Sequence, residues 1–148
     1  MLKVLMECIL IENLVERIYR TLAERESSNP KYRQVWEKLA DEESDHARAL
    51  EMAKRLLRER VIVDTHLSEK QVGELLTRTK QFLQAVQEKP DLPHDRVVRS
   101  MIALENALMK VHANLAIEFK TPDLQKMFSS LGSGDENHVA LLKGMLEI

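Results

Sequence analysis

Apolar residues recur along the chain at steps of three and four, the period of an amphipathic helix, and nowhere alternate long enough to suggest a sheet. Five helical segments are predicted, over residues 2–26, 31–60, 69–88, 94–120 and 122–146. The first carries the stripe Leu5, Cys8, Glu12, Val15, Tyr19 and Leu22. The second carries Tyr32, Trp36, Leu39, Glu43, His46, Leu50, Ala53 and Leu57. The fourth reads Val98, Met101, Glu105, Leu108, His112, Leu115 and Phe119, and the fifth Leu124, Phe128, Leu131, Asp135, His138, Leu142 and Met145. Asn29 followed by Pro30, and Thr121 followed by Pro122, have the residue types of a cap and a first helical position. Ser68 with Gln71 reads as a capping box that starts the third segment, and Pro90 and Pro93 end it. The pattern predicts an all-α domain over 1–148: a four-helix bundle of two antiparallel hairpins joined by a short crossover helix.

Each long stripe contains an acid where a leucine is expected. Glu12 lies between Cys8 and Val15, Glu43 between Leu39 and Leu50, Glu105 between Met101 and Leu108, and Asp135 between Leu131 and Leu142. A carboxylate on a buried stripe costs several kcal/mol in lost hydration unless it is paired or metal-bound. Two of the acids also open an acid-x-x-His, Glu43 to His46 and Asp135 to His138, which puts both side chains on one helix face about a turn apart.

The halves repeat. Pro30, Trp36, Leu39, His46 and Leu50 match Pro122, Phe128, Leu131, His138 and Leu142 at an offset of 92. Ile11, Glu12, Asn13, Ile18, Leu22 and Ala23 match Leu104, Glu105, Asn106, Val111, Leu115 and Ala116 at an offset of 93. Tyr19 and His112 stand at equivalent places, seven residues after Glu12 and Glu105. Amphipathicity alone matches apolar positions; it does not match a lone acid, an Asn, a Pro and a His in order. An internal pseudo-two-fold is the simplest reading.

Glu12, Glu43, His46, Glu105, Asp135 and His138 are therefore the candidate ligands of a dinuclear metal site. Four carboxylates balance two divalent cations, and each neutral histidine caps one metal. An oxygen-rich set with one imidazole per metal suits iron or manganese, and zinc stays open. Tyr19 and His112 are read as neighbours of the ligands, able to donate a proton or hydrogen bond. Glu16, Glu42, Asp45 and Glu136 are read as solvated charges, and the seven methionines as gap-filling core. Gly132, Ser133 and Gly134 precede Asp135, and each glycine inside a helix costs about 1 kcal/mol relative to alanine. Either the helix breaks there and Asp135 caps a short C-terminal helix, or the glycines let the backbone approach the site. The preserved register favours a continuous helix.

Bulk properties narrow the functional classes. The 44% hydrophobic and 31% charged composition is that of an ordinary globular domain. A net charge of −2 offers no electrostatic reason for nucleic acid or an anionic membrane as partner. Cys8, the one cysteine, excludes an internal disulfide framework. The apolar stretch from Met1 to Ile11 is interrupted by Glu7 and does not read as a signal peptide, so a cytoplasmic location is expected. Tyr32, Met52 and Val61-Ile62-Val63 are candidates for a homodimer contact or for core.

Glu12 with Tyr19, and the run Leu39 to Ala47 (LADEESDHA), resemble the rubrerythrin branch of the ferritin-like superfamily. The resemblance extends over nearly the whole chain, more specifically in the first half. It implies a ferritin-like bundle, two iron ions, ligand roles for the six residues above, and an oxidoreductase reaction with peroxide or dioxygen. Three departures stand out. Asp135 replaces the usual glutamate, Leu108 occupies the place of an extra metal-binding glutamate, and no cysteine-rich electron-transfer domain accompanies the bundle. Electrons are then expected from an external donor protein. The alternatives are an iron-storage or iron-sensing module without turnover, and a helical interaction protein whose metal site has decayed.

Overall fold

The computed structural model describes residues 2–57, 66–119 and 121–146. Five helices follow one another: α1 (Leu2–Arg25), α2 (Pro30–Leu57), α3 (His66–Glu88), α4 (His94–Glu118) and α5 (Pro122–Gly144). Among the described residues there is no strand, and no helix is long and apolar enough to cross a membrane. The architecture is the expected all-α bundle. α1 packs against α2 and α4 against α5 as two hairpins, with α3 laid along α1 and touching α4.

Local chemistry sets the helix boundaries. Asn29 caps α2 through its side-chain oxygen, which accepts from the backbone N–H of Lys31 at 3.0 Å and of Tyr32 at 3.3 Å. Pro30 at the first position loses no hydrogen bond that the helix would have made. α5 repeats only half of this grammar: Thr121 is extended (φ −83°, ψ 121°) ahead of Pro122, but its side chain makes no cap bond. α4 ends at Glu118, where Phe119 turns extended; Lys120, its expected last residue, lies outside the described residues.

The start of α3 corrects the sequence reading. The helix begins at His66, so Ser68 is already inside it and is not its N-cap. The side-chain oxygen of Gln71 accepts from Asn114 of α4 at 2.9 Å. Packing holds the helix in place. Val72, Leu75, Thr79, Leu83 and Val86 form one buried face. Lys3 and Glu69 pair at 3.6 Å near the starts of α1 and α3, and Arg25 donates to the carbonyls of Val86 and Gln87 near their ends. The crossover helix therefore runs parallel to α1.

The four stripes face inward. Every named stripe position of α4 and α5, together with Phe119 and Met145, is buried, including the acids and histidines. The pseudo-two-fold extends to the aromatic packing. Tyr19 stacks on Trp36 with ring centroids 5.8 Å apart, and the equivalent His112 lies 6.2 Å from the equivalent Phe128. Not all methionines fill the core: Met101 and Met145 do, whereas Met6 and Met52 are exposed. Tyr32 stacks on His94 at 4.3 Å within the chain, and Val61-Ile62-Val63 lies outside the described residues.

Trp36, 2% exposed, and Ile117, 79% exposed, give a contrast that tests this packing. Trp36→Ala is expected to cost about 3–5 kcal/mol, a fall of roughly 10 °C in Tm by circular dichroism, while Ile117→Ala stays within about 0.5 kcal/mol of the parent.

Candidate metal centre

The six predicted ligand residues converge. α1 contributes Glu12, α2 Glu43 and His46, α4 Glu105, and α5 Asp135 and His138. All four carboxylates are fully buried; His138 is 1% exposed and His46 is partly buried. α5 runs unbroken through Gly132 and Gly134, so Asp135 keeps the register that points it inward. The alternative of a broken helix with Asp135 as a cap is set aside.

Three of the donor-atom spacings are those of atoms around an ion, and the two from His46 to Glu12 and Asp135 are slightly wider. Nδ1 of His46 lies 3.5 Å from Glu43 Oε2, 3.8 Å from Glu12 Oε2 and 3.9 Å from Asp135 Oδ1. Nδ1 of His138 lies 3.0 Å from Glu43 Oε1 and 3.3 Å from Glu105 Oε1. Ligands about 2.0–2.2 Å from one ion at tetrahedral or octahedral angles stand about 3.0–3.6 Å apart. Three overlapping trios are able to hold a metal ion: Glu12, His46 and Asp135; Glu105, Asp135 and His138; Glu43, His46 and His138.

The fit to a cation is sharpened by what the donors lack. Both oxygens of Glu12 and of Glu43, Oε2 of Glu105, Oδ1 of Asp135 and Nδ1 of His46 are buried without a hydrogen-bond partner. Buried polar atoms ordinarily find partners, and an unmet carboxylate is among the costliest exceptions. These are carboxylate and imidazole donors, the set that hard and borderline divalent cations accept.

Tyr19 and His112 brace the acids across the bundle. The Tyr19 hydroxyl donates to Glu105 Oε1 at 2.6 Å. His112 places Nε2 3.3 Å from Glu12 Oε1 and donates from Nδ1 to Asp135 Oδ2 at 2.5 Å. Each thus reaches from its own helix to the acid on the opposite hairpin. One residue was missed in the sequence: Glu42, read as a solvated charge, brings Oε2 to 2.8 Å from Nε2 of His138, with its side chain 36% exposed. Its neighbour Glu43 drew attention because it sits on the stripe; Glu42 lies off it and carries no periodic signal.

Burial and mutual repulsion shape the protonation of the cluster. Burial, reinforced by the charges of Glu105 and Glu12, raises the Glu43 carboxyl well above its usual range. Burial pushes Glu12 the same way, but protonated Glu43 and the His112 and His46 imidazoles beside it hold it well below that range. Burial lifts Asp135 to about 6 although His112 opposes it. Burial disfavours the charged form of His112, yet Asp135 and Glu12 overcome that and raise it to about 10. Burial, then the Glu105 and Glu43 charges, raises Tyr19 well above its ordinary value, so it remains a phenol.

These shifts fix how the metal-free protein should respond to pH. Groups raised in the folded state stabilise it most below their unfolded value and lose that contribution as pH rises through the folded value. Asp135 loses its share between about pH 4 and about 6, and His112 between about 6.5 and about 10. Glu12 acts oppositely, but its contribution is already complete above about pH 4.5. Thermal melts of chelator-treated protein should therefore show Tm falling steadily from pH 5 to 9; a Tm that climbs across that range would contradict the assignments.

No curated protein and no solved structure matched the chain. The rubrerythrin family matches residues 3–146. That match covers almost the whole length, and the fold and the buried acid–histidine cluster agree with it: the chain belongs to the rubrerythrin family, with a ferritin-like all-α bundle.

Proposed function

We propose that the protein is a non-haem di-iron carboxylate oxidoreductase that reduces peroxide, or dioxygen, with electrons from an external donor protein. One observation carries the reading. Six metal-competent side chains from four helices meet in a buried centre where most of their donor atoms lack a hydrogen-bond partner. Membership of the rubrerythrin family favours iron over manganese or zinc. Glu12 and His46 would hold one ion and Glu105 and His138 the other, with Glu43 and Asp135 between them.

Two ferrous ions, when bound, would supply one electron each, the two that reduction of peroxide to water needs. The protein's own groups do the rest. Helices α1, α2, α4 and α5 exclude water around the donors, which strengthens every charge interaction in the centre. Tyr19, held as a phenol 2.6 Å from Glu105, keeps a proton beside the site, and the imidazole of His112 holds another against Asp135. Peroxide consumes two protons with its two electrons, so two protonated groups at the rim suit that demand.

The burial of all four carboxylates favours a second reading, in which metal chiefly stabilises the bundle and no turnover occurs. The burial of Asp135 inside the cluster weighs against the decayed-site alternative.

Anaerobic loading with ferrous iron followed by elemental analysis should give two ions per chain. Each ion at about a hundred times its dissociation constant should stabilise by about 2.7 kcal/mol, a rise in Tm of roughly 5–10 °C per ion. Asp135→Ala should keep the helical signal and lose one ion. Absorbance after a peroxide pulse separates the two readings. Oxidation faster than that of free ferrous iron supports the oxidoreductase; metal-dependent stability without accelerated oxidation supports the structural role.

A further inference from the structure

The two halves of the site differ behind their histidines. At the offset of 92 that relates α2 to α5, His46 corresponds to His138 and Glu42 corresponds to Gly134. Glu42 projects from α2 toward α5, where its Oε2 stands 2.8 Å from Nε2 of His138. Gly134 projects nothing toward α2; a Cβ there would fall 2.6 Å from Nε2 of His46 and 3.0 Å from its Cε1. The glycine therefore leaves the far edge of the His46 ring the space it occupies. Among the described residues every carboxylate paired with His46 meets its Nδ1, and none meets Nε2.

A carboxylate behind a ligating imidazole fixes which nitrogen carries the proton, orients the ring and makes the other nitrogen a stronger donor. Glu42 is placed to do this for His138. At 2.8 Å its approach falls short of hydrogen-bond alignment, and its side chain is 36% exposed, so no close packing fixes that orientation. Exposure differs as well. The His138 side chain is 1% exposed and that of His46 13%, and Gly134 beside it is also partly exposed. The two rings stack at 5.1 Å, so these contrasting environments face each other across the cluster.

We propose that Glu42 and Gly134 make the two metal positions inequivalent: a tight, enclosed position at His138, strengthened by Glu42, and a weaker, exchangeable position at His46, open toward solvent beside Gly134. The inference rests on the dinuclear reading above. It assigns Glu42 as a positioning residue acting through His138. It also makes the His46 edge the side from which metal ions and a small oxidant reach the centre.

Anaerobic competition between the full-length protein and a chromophoric chelator for ferrous iron tests it, with circular dichroism confirming that each variant keeps its helices. Wild type should bind one ion about 10–100-fold more tightly than the second, the range over which such outer contacts act. Glu42→Ala should weaken the tight step by that factor and leave the weak step alone, and Glu42→Gln should fall between. His138→Ala should remove the tight step; His46→Ala should remove the weak one, and Gly134→Ala should weaken it further by displacing the ring. Two ions bound with equal affinity, loss of the tight step in His46→Ala, or equal weakening of both steps by Glu42→Ala would overturn the inequivalence while leaving the dinuclear reading intact. No iron bound by wild type would overturn the dinuclear reading itself.

Discussion

Four carboxylates share a volume from which water is excluded, and the bundle is organised around that burden. Glu12, Glu43, Glu105 and Asp135 each take a place that leucine would fill at a gain in stability, and each is fully buried. Their repulsion is relieved in three ways within the protein. Burial and the Glu105 and Glu12 charges favour the neutral form of Glu43, His112 places its imidazole between Glu12 and Asp135, and Tyr19 donates to Glu105. These measures leave many oxygens unpartnered. Divalent cations answer the remaining demand more fully than any rearrangement of the side chains, because they meet several lone pairs at once and cancel the net charge. Replacing buried charges with well-packed apolar residues is often neutral or stabilising, so packing alone does not explain the cluster.

A symmetric frame carries an asymmetric site. Hairpins α1–α2 and α4–α5 repeat one another in helix starts, aromatic packing and the placement of acids and histidines. Among their differences, three pairs bear on the acids and histidines: Glu43 and Asp135, Tyr19 and His112, Glu42 and Gly134. The divergences touch one another. His112 bonds Asp135, whose shorter side chain it braces, and Gly134 precedes Asp135 and makes room for His46. In a close-packed interior one changed side chain is accommodated by its neighbours, as His112 and Asp135 show.

Much of this was legible in the sequence because it is periodic. The stripes of α4 and α5 are buried at every named position, and the lone acids on them were visible against an apolar background. Features without a period were not. Glu42 lies next to a ligand candidate but about 100° around the helix from it, among other charges that do face solvent. Ser68 lies inside α3, which the residues from His66 on already form, so the capping pattern misplaced its start. Gly134 could be read as a break or a close approach, and only the position of the His46 ring decides between them. Gly132 meets nothing within 4 Å, so the approach involves one glycine and not both.

Anomalous diffraction from crystals grown with ferrous or manganous ion tests the central claim most directly. The account requires two peaks about 3.5–4 Å apart, the usual spacing of dinuclear centres, enclosed by Glu12, Glu43, His46, Glu105, Asp135 and His138. Well-diffracting crystals with saturating metal that show no peak inside the bundle, or peaks confined to surface carboxylates, would contradict it.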